Sequence, residues 1–398
     1  MNNVQKRAAA AGCIGVLIIG TIAASTGRNA GTKSTKTDGT PVKSTETASE
    51  SRVKTHPADL TFWYNDESYK DFYERAAEEY YEETGSVVDV RFSDVTNYLD
   101  TIYDATMNEN AFPDVYMIEG DRLEKAYLYG LAAENTAADI YESSVAENAI
   151  SASVYRDKMY GYPLSYNVCL LVYQNGYFQE EPKTVQSIID YSNENEPPEN
   201  IQYLLEWDVN DAFYDYVFVS NSVRFEKNEL ETMQVEYDEQ LYQEDLDYFS
   251  QILESFSIDA GSVTEESVVS DFNEGTTLCA IIDSDSLSKL TASDYSAREI
   301  LPLNDSLDAG SAALTDMVIV NEFSEKKELA ADFAEFVTLA MSGELHGLSG
   351  HYSVRMSEDA DDMEQTAYQA YENATPAPDS QDANEFWVTL KETISKYF

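Results

Sequence analysis

Aromatic and acidic side chains stand together at several points in this 398-residue sequence, mostly where an apolar run ends. A flat aromatic face can stack on the apolar C–H face of a pyranose, and planar polar groups can bond its hydroxyls. The aromatic candidates for such contacts are Trp63, Tyr64, Tyr166, Trp207 and Tyr352. The polar candidates are Asp66, Glu119, Asp121, Asp283, Asp285 and Arg355. Together these residues are the candidate ligand contacts of the chain. The alternative is that each ring belongs to a core, as Trp387 should, and that each acid caps a helix or faces solvent.

Enzymatic and metal chemistry find little support in the same sequence. The histidines His56, His346 and His351 form no His-Glu-x-x-His pair, and there is no Gly-x-Ser-x-Gly elbow, P-loop or dinucleotide glycine fingerprint. A pair of acids for glycoside hydrolysis stays open in so acidic a chain, but no pair stands out. The acids of Asp283–Asp285 and Asp359–Asp362 lack the full spacing of a calcium loop. We therefore predict no catalytic residue, no metal site and no cofactor.

The charge of the chain is extreme, since 74 acidic residues against 25 basic ones give a formal net charge of -49. Residues 58–398 hold 71 of the acids and 17 of the bases, so the acidity belongs to the body of the protein. A phosphate backbone needs a basic face, and we therefore predict no nucleic-acid partner. An acidic surface suits a well-solvated protein or, alternatively, a cationic ligand.

Strands and helices alternate from residue 60 onward. Leu60–Tyr64 predicts a strand, and the amphipathic helix that follows should stop at Gly85. The strand Val87–Phe92, a helix beginning near Tyr98 and the strand Asp114–Ile118 come next. This order predicts right-handed crossovers and a mainly parallel sheet, which binds ligands at the carboxyl ends of its strands. Those ends are Trp63-Tyr64 and Glu119-Gly120-Asp121.

Short motifs in this region resemble the extracellular solute-binding proteins of bacterial ABC importers, the class that includes maltose-binding protein. They are Thr61-Phe62-Trp63, Glu83-Thr84-Gly85, Tyr98 and Pro113-Asp114-Val115, in the order of that family. A closer match is Tyr160–Phe178, which reads YGYPLSYNVCLLVYQNGYF and is followed by Pro182-Lys183-Thr184. The resemblance covers the whole body, residues 58–398.

The resemblance implies an α/β, two-lobe periplasmic-binding-protein-like fold of type II, with hinge-linked lobes and a ligand cleft between them. It implies the substrate-binding component of an ABC transporter and not an enzyme. Such a component captures an extracellular solute, here an oligosaccharide, and delivers it to the permease subunits in the membrane. The family places the aromatic residue of the Ser165-Tyr166 pair in the cleft. We expect the protein to be a monomer.

Two departures from the family pattern bear on the ligand. After the strand Leu278–Ile282, sugar-binding members often carry a stacking Trp, whereas this chain has Asp283–Ser286. In Gly350–Arg355, Ser353 replaces the usual Pro. The alternative functions are therefore the same fold with a cationic solute (a polyamine, a peptide or a metal), or a secreted glycan-active enzyme or adhesin.

The N-terminus indicates export. The basic head Met1–Arg7 and the apolar run Ala8–Ser25 are typical of a signal peptide, or of a membrane anchor if the run is retained. Many family members are lipoproteins, but Cys13 precedes the apolar core and makes a poor lipobox. Cleavage, lipidation and retention all stay open. We expect an extracellular, cell-surface protein that is secreted or membrane-anchored.

We divide the chain into residues 1–25 (signal peptide or membrane anchor), 26–57 (flexible Ser/Thr-rich linker), 58–120 plus 300–342 (N-terminal lobe) and 121–299 plus 343–398 (C-terminal lobe). Hinges are expected near Glu119–Asp121, Leu301–Ser306 and Ala340–Gly350. The cysteines give no disulfide framework. Cys169 and Cys279 lie in apolar runs that favour buried thiols, and whether they pair stays open.

Overall fold

The computed structural model describes residues 58–398 except 109–110, 228–232, 257, 259, 262 and 378–379. The predicted leader and linker, residues 1–57, lie outside the described residues. The strands are β1 (Leu60–Tyr64), β2 (Val88–Phe92), β3 (Val115–Glu119), β4 (Val154–Tyr155), β5 (Lys158–Met159), β6 (Gly161–Gln174), β7 (Tyr203–Glu206), β8 (Val223–Lys227), β9 (Met233–Tyr237), β10 (Thr277–Asp283), β11 (Tyr295–Arg298), β12 (Ala312–Val320), β13 (Tyr352–Ser353) and β14 (Thr375–Pro376). The helices are α1 (Lys70–Thr84), α2 (Tyr98–Met107), α3 (Leu123–Leu128), α4 (Ala138–Tyr141), α5 (Glu147–Ser153), α6 (Val185–Glu194), α7 (Ala212–Asp215), α8 (Glu239–Phe256), α9 (Glu265–Asn273), α10 (Lys327–Glu335), α11 (Leu345–Ser349), α12 (Asp362–Asn373) and α13 (Gln381–Ile394).

The first three strands and two helices follow the predicted order. β1 pairs in parallel with both β2 and β3, as predicted. β12 pairs antiparallel with β3 and with β6, and β6 pairs antiparallel with β10, so the sheet as a whole is mixed and the prediction of a mainly parallel sheet is wrong beyond these three strands. α1 ends where Gly85 adopts a left-handed conformation (φ 76°), which a glycine reaches without a steric penalty. Side chains alternate along β1, so that Phe62 and Tyr64 are buried on one face while Trp63 is half-buried on the other.

One large mixed sheet runs through the molecule in the order β2-β1-β3-β12-β6-β10-β7. β6 has 14 residues and connects the two ends of this sheet. Its first half pairs with β12, where Ser165 lies opposite Asp316, and its second half pairs with β10. The register shifts between Asp316 and Met317, which places an irregularity in β12 at the middle of the sheet.

Separate groups of buried apolar residues lie at the two ends of the sheet. Phe62 and Phe333 belong to one group, and Trp207 and Phe249 belong to another. Packed with Phe62 are Tyr141, Met159, Tyr162 and Leu164, from the stretch assigned above to the C-terminal lobe. Packed with Trp207 are Leu301, Leu303 and Leu307, from the stretch assigned to the N-terminal lobe. We take these two groups as the main cores of the two lobes. Two further buried groups lie among the described residues, one with Tyr166, Ile282 and Leu287 and one with Tyr98 and Tyr116.

Cys169 on β6 and Cys279 on β10 are both free and fully buried. Burial raises the pKa of each thiol, which keeps both in the unreactive protonated form. No helix in the described part of the chain combines the length and the apolar character needed to cross a membrane.

Candidate ligand-binding cleft

The carboxyl ends of β1 and β3 meet β12 at one edge of the sheet. Glu119, the last residue of β3, is the register partner of Asp316 on β12. The exposed carboxylate of Glu119 lies 3.2 Å from the Arg122 guanidinium. A Cβ added at Gly120 would lie 2.9 Å from the backbone oxygen of Thr315, so the turn passes against β12 more closely than a side chain allows. We call this edge of the sheet, formed by the ends of β1 and β3 and by Asp316 of β12, the cleft floor.

The turn after β1 brings Asp66 and Ser68 to the cleft floor. Asp66 caps a short 3₁₀ turn, Glu67–Tyr69, because its Oδ1 accepts from the Ser68 backbone N–H at 2.8 Å. The same oxygen lies 2.6 Å from Ser68 Oγ. Ser68 Oγ in turn lies 2.7 Å from Nε2 of His351. A predicted site acid therefore shares a hydrogen-bonded chain with a histidine that the sequence analysis did not select.

His351 precedes β13 and is 7% exposed. Its Nδ1 lies 2.8 Å from Oδ1 of Asp285, an ion-pair contact that lacks the alignment of a regular hydrogen bond. Its ring stacks on Tyr69 with 4.1 Å between centroids and 5° between planes. His351 lies inside the family-like segment Gly350–Arg355, but nothing in that segment distinguishes it, because its partners are distant in sequence. Only the left-handed Gly350 beside it (φ 84°) indicates a tightly specified turn.

Tyr69 connects the same turn to the strands that run between the lobes. Its hydroxyl donates to Oδ2 of Asp316 on β12 at 2.5 Å and lies 2.6 Å from Ser165 Oγ on β6. Ser165 Oγ also lies 3.2 Å from Oδ2 of Asp316. Burial, followed by the nearby charge of Glu119, raises the pKa of Asp316 to about 7. Burial therefore disfavours the charged form of this carboxyl.

Asp283 ends β10 on the other side of the cleft floor. Its carboxylate accepts from Asn167 Nδ2 at 3.0 Å and from the Ser286 N–H at 2.8 Å, so it caps the 3₁₀ turn Ser284–Lys289 that carries Asp285. Burial, then the charges of Asp285 and Glu265, raise the pKa of Asp283 to about 6. Two acids stand where the family carries a Trp. Asp283 caps a turn, and Asp285 forms an ion pair with His351.

The predicted aromatic contacts differ in how much surface they present. Tyr64, Tyr166, Trp207 and Tyr352 are each at most 5% exposed. The ring of Tyr166 lies stacked 4.3 Å from Tyr371, and the Trp207 indole donates to Asp215 at 3.1 Å inside its core. Packing of the apolar strand faces accounts for this burial, so ligand contact by these four rings stays a prediction that their surroundings disfavour.

Trp63 keeps a half-buried position beside the cleft floor, on the opposite face of β1 from Tyr64. Its indole N–H is buried and has no hydrogen-bond partner among the described residues. The ring packs against a buried group that contains Tyr98 and Tyr116, whose hydroxyls likewise lack a partner among the described residues. Trp387 packs partly buried against its core, as its helical pattern predicts.

Two predicted site residues remain, Arg355 and Asp121, and neither has a described contact with the cleft floor. Arg355 donates from Nη1 to the Leu339 carbonyl at 2.6 Å and closes the π-helical turn Phe336–Ala340. Asp121 lies in the 3₁₀ turn after β3, but its side chain is outside the described residues. Among the side chains that the structure describes, no group of three or more His, Cys, Asp or Glu residues could hold a metal ion.

No protein-family model and no curated protein matches this chain. Solved structures match over most of its length. A cyclo/maltodextrin-binding protein complexed with maltotetraose superposes with a TM-score of 0.72 at 16% identity, over 86% of this chain and 93% of that one. The extracellular solute-binding protein from Staphylococcus aureus in complex with maltose gives 0.70 at 17% identity, over 86% and 93%. The Thermus thermophilus maltotriose binding protein bound with maltotriose gives 0.67 at 14% identity, over 85% and 93%.

At these identities the likeness establishes the fold. The chain has the two-lobe, hinge-linked α/β architecture of the extracellular solute-binding proteins, with a cleft between the lobes. The fold class implied by the short sequence motifs is therefore confirmed.

Proposed function

We propose that this chain is the substrate-binding component of an ABC transporter, which captures an extracellular oligosaccharide and delivers it to a membrane permease. The observation that carries the proposal is the agreement in fold over 93% of three proteins that hold maltotetraose, maltose and maltotriose. Those three neighbours are binding proteins in complex with sugars, and we assign no turnover to this chain. We place it outside the cell or at the cell surface, as a monomer held or released through residues 1–57.

The cleft floor offers the groups that a sugar needs. The carboxylates of Asp66 and Glu119 reach the surface and can accept hydrogen bonds from sugar hydroxyls, whereas the Tyr69 and Ser165 hydroxyls behind them are buried and engaged with Asp316. The half-buried ring of Trp63 at the end of β1 is the aromatic face that we assign to such a ligand. Neutral polyhydroxylated ligands provide donors and acceptors together.

We place the hinge where the chain passes between its two cores. The passages are β6 near Ser165, β12 near Asp316 and the segment around His351, instead of the three segments expected from the sequence. The packing of Tyr162 in the first core and of Leu303 in the second supports this division. Hinge closure about these passages is the motion that would enclose a solute.

A cationic solute is the second candidate, because of the acids at the cleft floor. Asp66, Glu119, Asp285 and Asp316 lie near one another, and the body of the protein is strongly acidic. The negative electrostatic potential of these acids would attract a polyamine or a divalent cation. The internal partners of these acids, which include Arg122 and His351, reduce the charge left for a ligand.

Thermal unfolding of the full chain separates the two candidates. Maltose, maltotriose and maltotetraose would be compared with spermidine and Ca²⁺, each against NaCl at matched ionic strength, because salt alone screens the acidic surface. A ligand present at about a hundred times its Kd should add about 2.7 kcal/mol to the free energy of unfolding. Stabilisation by a sugar, followed by calorimetric titration, supports the proposal. Stabilisation only by spermidine or Ca²⁺ favours the second candidate, and no response to any sugar contradicts the first.

A further inference from the structure

A single chain of polar contacts joins the two lobes at the cleft floor. Asp66 and Ser68 belong to the first lobe, since the neighbouring Tyr69 is fully buried in the core of that lobe. Asp285 belongs to the second lobe, where Leu287 of the same turn is buried with Ile282 of β10. His351 lies between them and contacts Ser68 and Asp285 with its two ring nitrogens.

The number of protons available along these polar contacts determines the charge of the His351 ring. The Ser68 hydroxyl has one proton and two neighbours, Asp66 Oδ1 at 2.6 Å and His351 Nε2 at 2.7 Å. Exposed Asp66 is an acceptor when ionised, so Ser68 donates to it and must accept from Nε2. Oδ1 of Asp285 lies 2.8 Å from Nδ1, and this ion-pair contact is favourable only when the ring carries a positive charge. Both nitrogens therefore carry a proton, and the ring is an imidazolium.

We propose that His351, protonated on both ring nitrogens, is a latch that joins the first lobe to the second and opens when the ring loses its proton. The stacked Tyr69 ring, 4.1 Å away, favours a cation at this place, and its hydroxyl ties the latch to Ser165 and Asp316 on the two strands that pass between the lobes. The inference concerns the lobe arrangement and holds whichever solute the cleft binds.

The charged groups around His351 favour a positive charge on its ring. Asp66 faces it from the first lobe, Asp285 from the second lobe and Asp316 from β12. On its own segment, His346 contacts the Gly350 carbonyl and stacks on Tyr352, away from the latch. The neighbouring cation of the second lobe, Lys289, is engaged by Glu265. Burial opposes protonation, but the contact with Asp285 and the charges of Asp285, Asp316 and Asp66 raise the pKa of His351 above its ordinary value.

The order Ser68, His351, Asp285 also matches the order of groups in a serine hydrolase. A nucleophilic serine must give its proton to the histidine, whereas the Ser68 proton is engaged by Asp66 at 2.6 Å. The surrounding carboxylates would also oppose a developing oxyanion. The contacts therefore favour a latch over a nucleophile.

The latch predicts that the spread of distances between the lobes depends on pH. In the full chain with Cys13→Ser, nitroxide labels at Glu82→Cys on α1 and Gln251→Cys on α8 report that distance, because Cys169 and Cys279 are buried. Pulsed electron resonance should show one narrow distance at about pH 6 and a several-fold larger separated population at about pH 9. In His351→Gln the two distributions should coincide, and in Asp285→Asn the response should be lost as well.

His346→Gln is the matched control, because it removes a histidine of the same segment and should keep the wild-type response. A response that persists in His351→Gln would point to Asp316, whose pKa of about 7 also lies in this range, and would overturn the latch. An unchanged distance in the wild type overturns it too. Hydrolysis of p-nitrophenyl acetate that disappears in Ser68→Ala would assign the same residues to catalysis instead. Circular dichroism checks folding, and Asp285→Asn replaces His351→Gln if that variant does not fold.

Discussion

Oγ of Ser68 and Nε2 of His351 lie 2.7 Å apart, although 283 residues separate them in the chain. Ser68 follows the first strand of the body, and His351 precedes one of the last strands. Their contact joins the turn after β1 to the segment before β13 at the cleft floor. Groups that could bind a solute are therefore the same groups that hold the lobes together, so substitutions at this edge should be measured for both stability and affinity.

Asp66→Ala should lower the free energy of unfolding by about 1 kcal/mol, since the Asp66 carboxylate caps the turn that leads into α1. The Ser68 N–H and the Ser68 hydroxyl both donate to Asp66 Oδ1, so the substitution removes both hydrogen bonds. Urea unfolding measures the difference. Glu67→Ala, which removes an exposed acid of the same turn, should change stability by less than about 0.5 kcal/mol. Equal losses in the two variants would contradict the capping role.

Trp63→Ala should weaken binding of the oligosaccharide by on the order of tenfold, because it removes the half-buried ring beside the cleft floor. Isothermal titration with the sugar that stabilises the protein measures the change. Trp387→Phe, on α13 in the second lobe, is the control and should keep wild-type affinity. If Trp63→Ala binds as tightly as the wild type, Trp63 is a lobe-core residue only.

The sequence predicts the part of the site that depends on strand ends. β1 and β3 end within one residue of the predicted positions, because apolar runs followed by polar turns set them locally. Period-two alternation along β1 also separates buried Tyr64 from half-buried Trp63. His351 could not be found this way. Its role comes from partners that meet only when β6, β12 and the segment before β13 pass side by side.

Stability should fall as pH rises from about 4.5 to about 7, in part because of Glu206 at the end of β7. This side chain is 2% exposed, and burial raises its pKa from 4.5 to about 7, while the Thr277 hydroxyl donates to it at 2.7 Å and opposes the shift. Within that range the folded protein holds a proton that the unfolded chain releases, so raising the pH favours unfolding. At about pH 8 and above both states are ionised, and this contribution no longer changes.

Glu206→Gln isolates this effect from other buried acids. Between pH 4.5 and about pH 7 the wild type should lose about 2 kcal/mol more than Glu206→Gln, since the amide does not titrate. Urea unfolding at several pH values gives the two curves. Glu274→Gln, an exposed acid of the same lobe, is the matched control and should follow the wild type. Parallel curves for wild type and Glu206→Gln would show that Glu206 titrates normally.

Gly120→Ala should destabilise the protein by about 1–3 kcal/mol, because its Cβ would lie 2.9 Å from the Thr315 backbone oxygen, which cannot move without displacing β12. The variant tests whether the end of β3 is pressed against the strand that carries Asp316. Gly343→Ala is the control, since a Cβ there meets no atom within 4 Å. It should be neutral or slightly stabilising in urea unfolding, because alanine restricts the unfolded chain. Similar behaviour of the two variants would mean that β12 does not pack closely against the turn, and the cleft floor would then be looser than the contacts of Asp316 indicate.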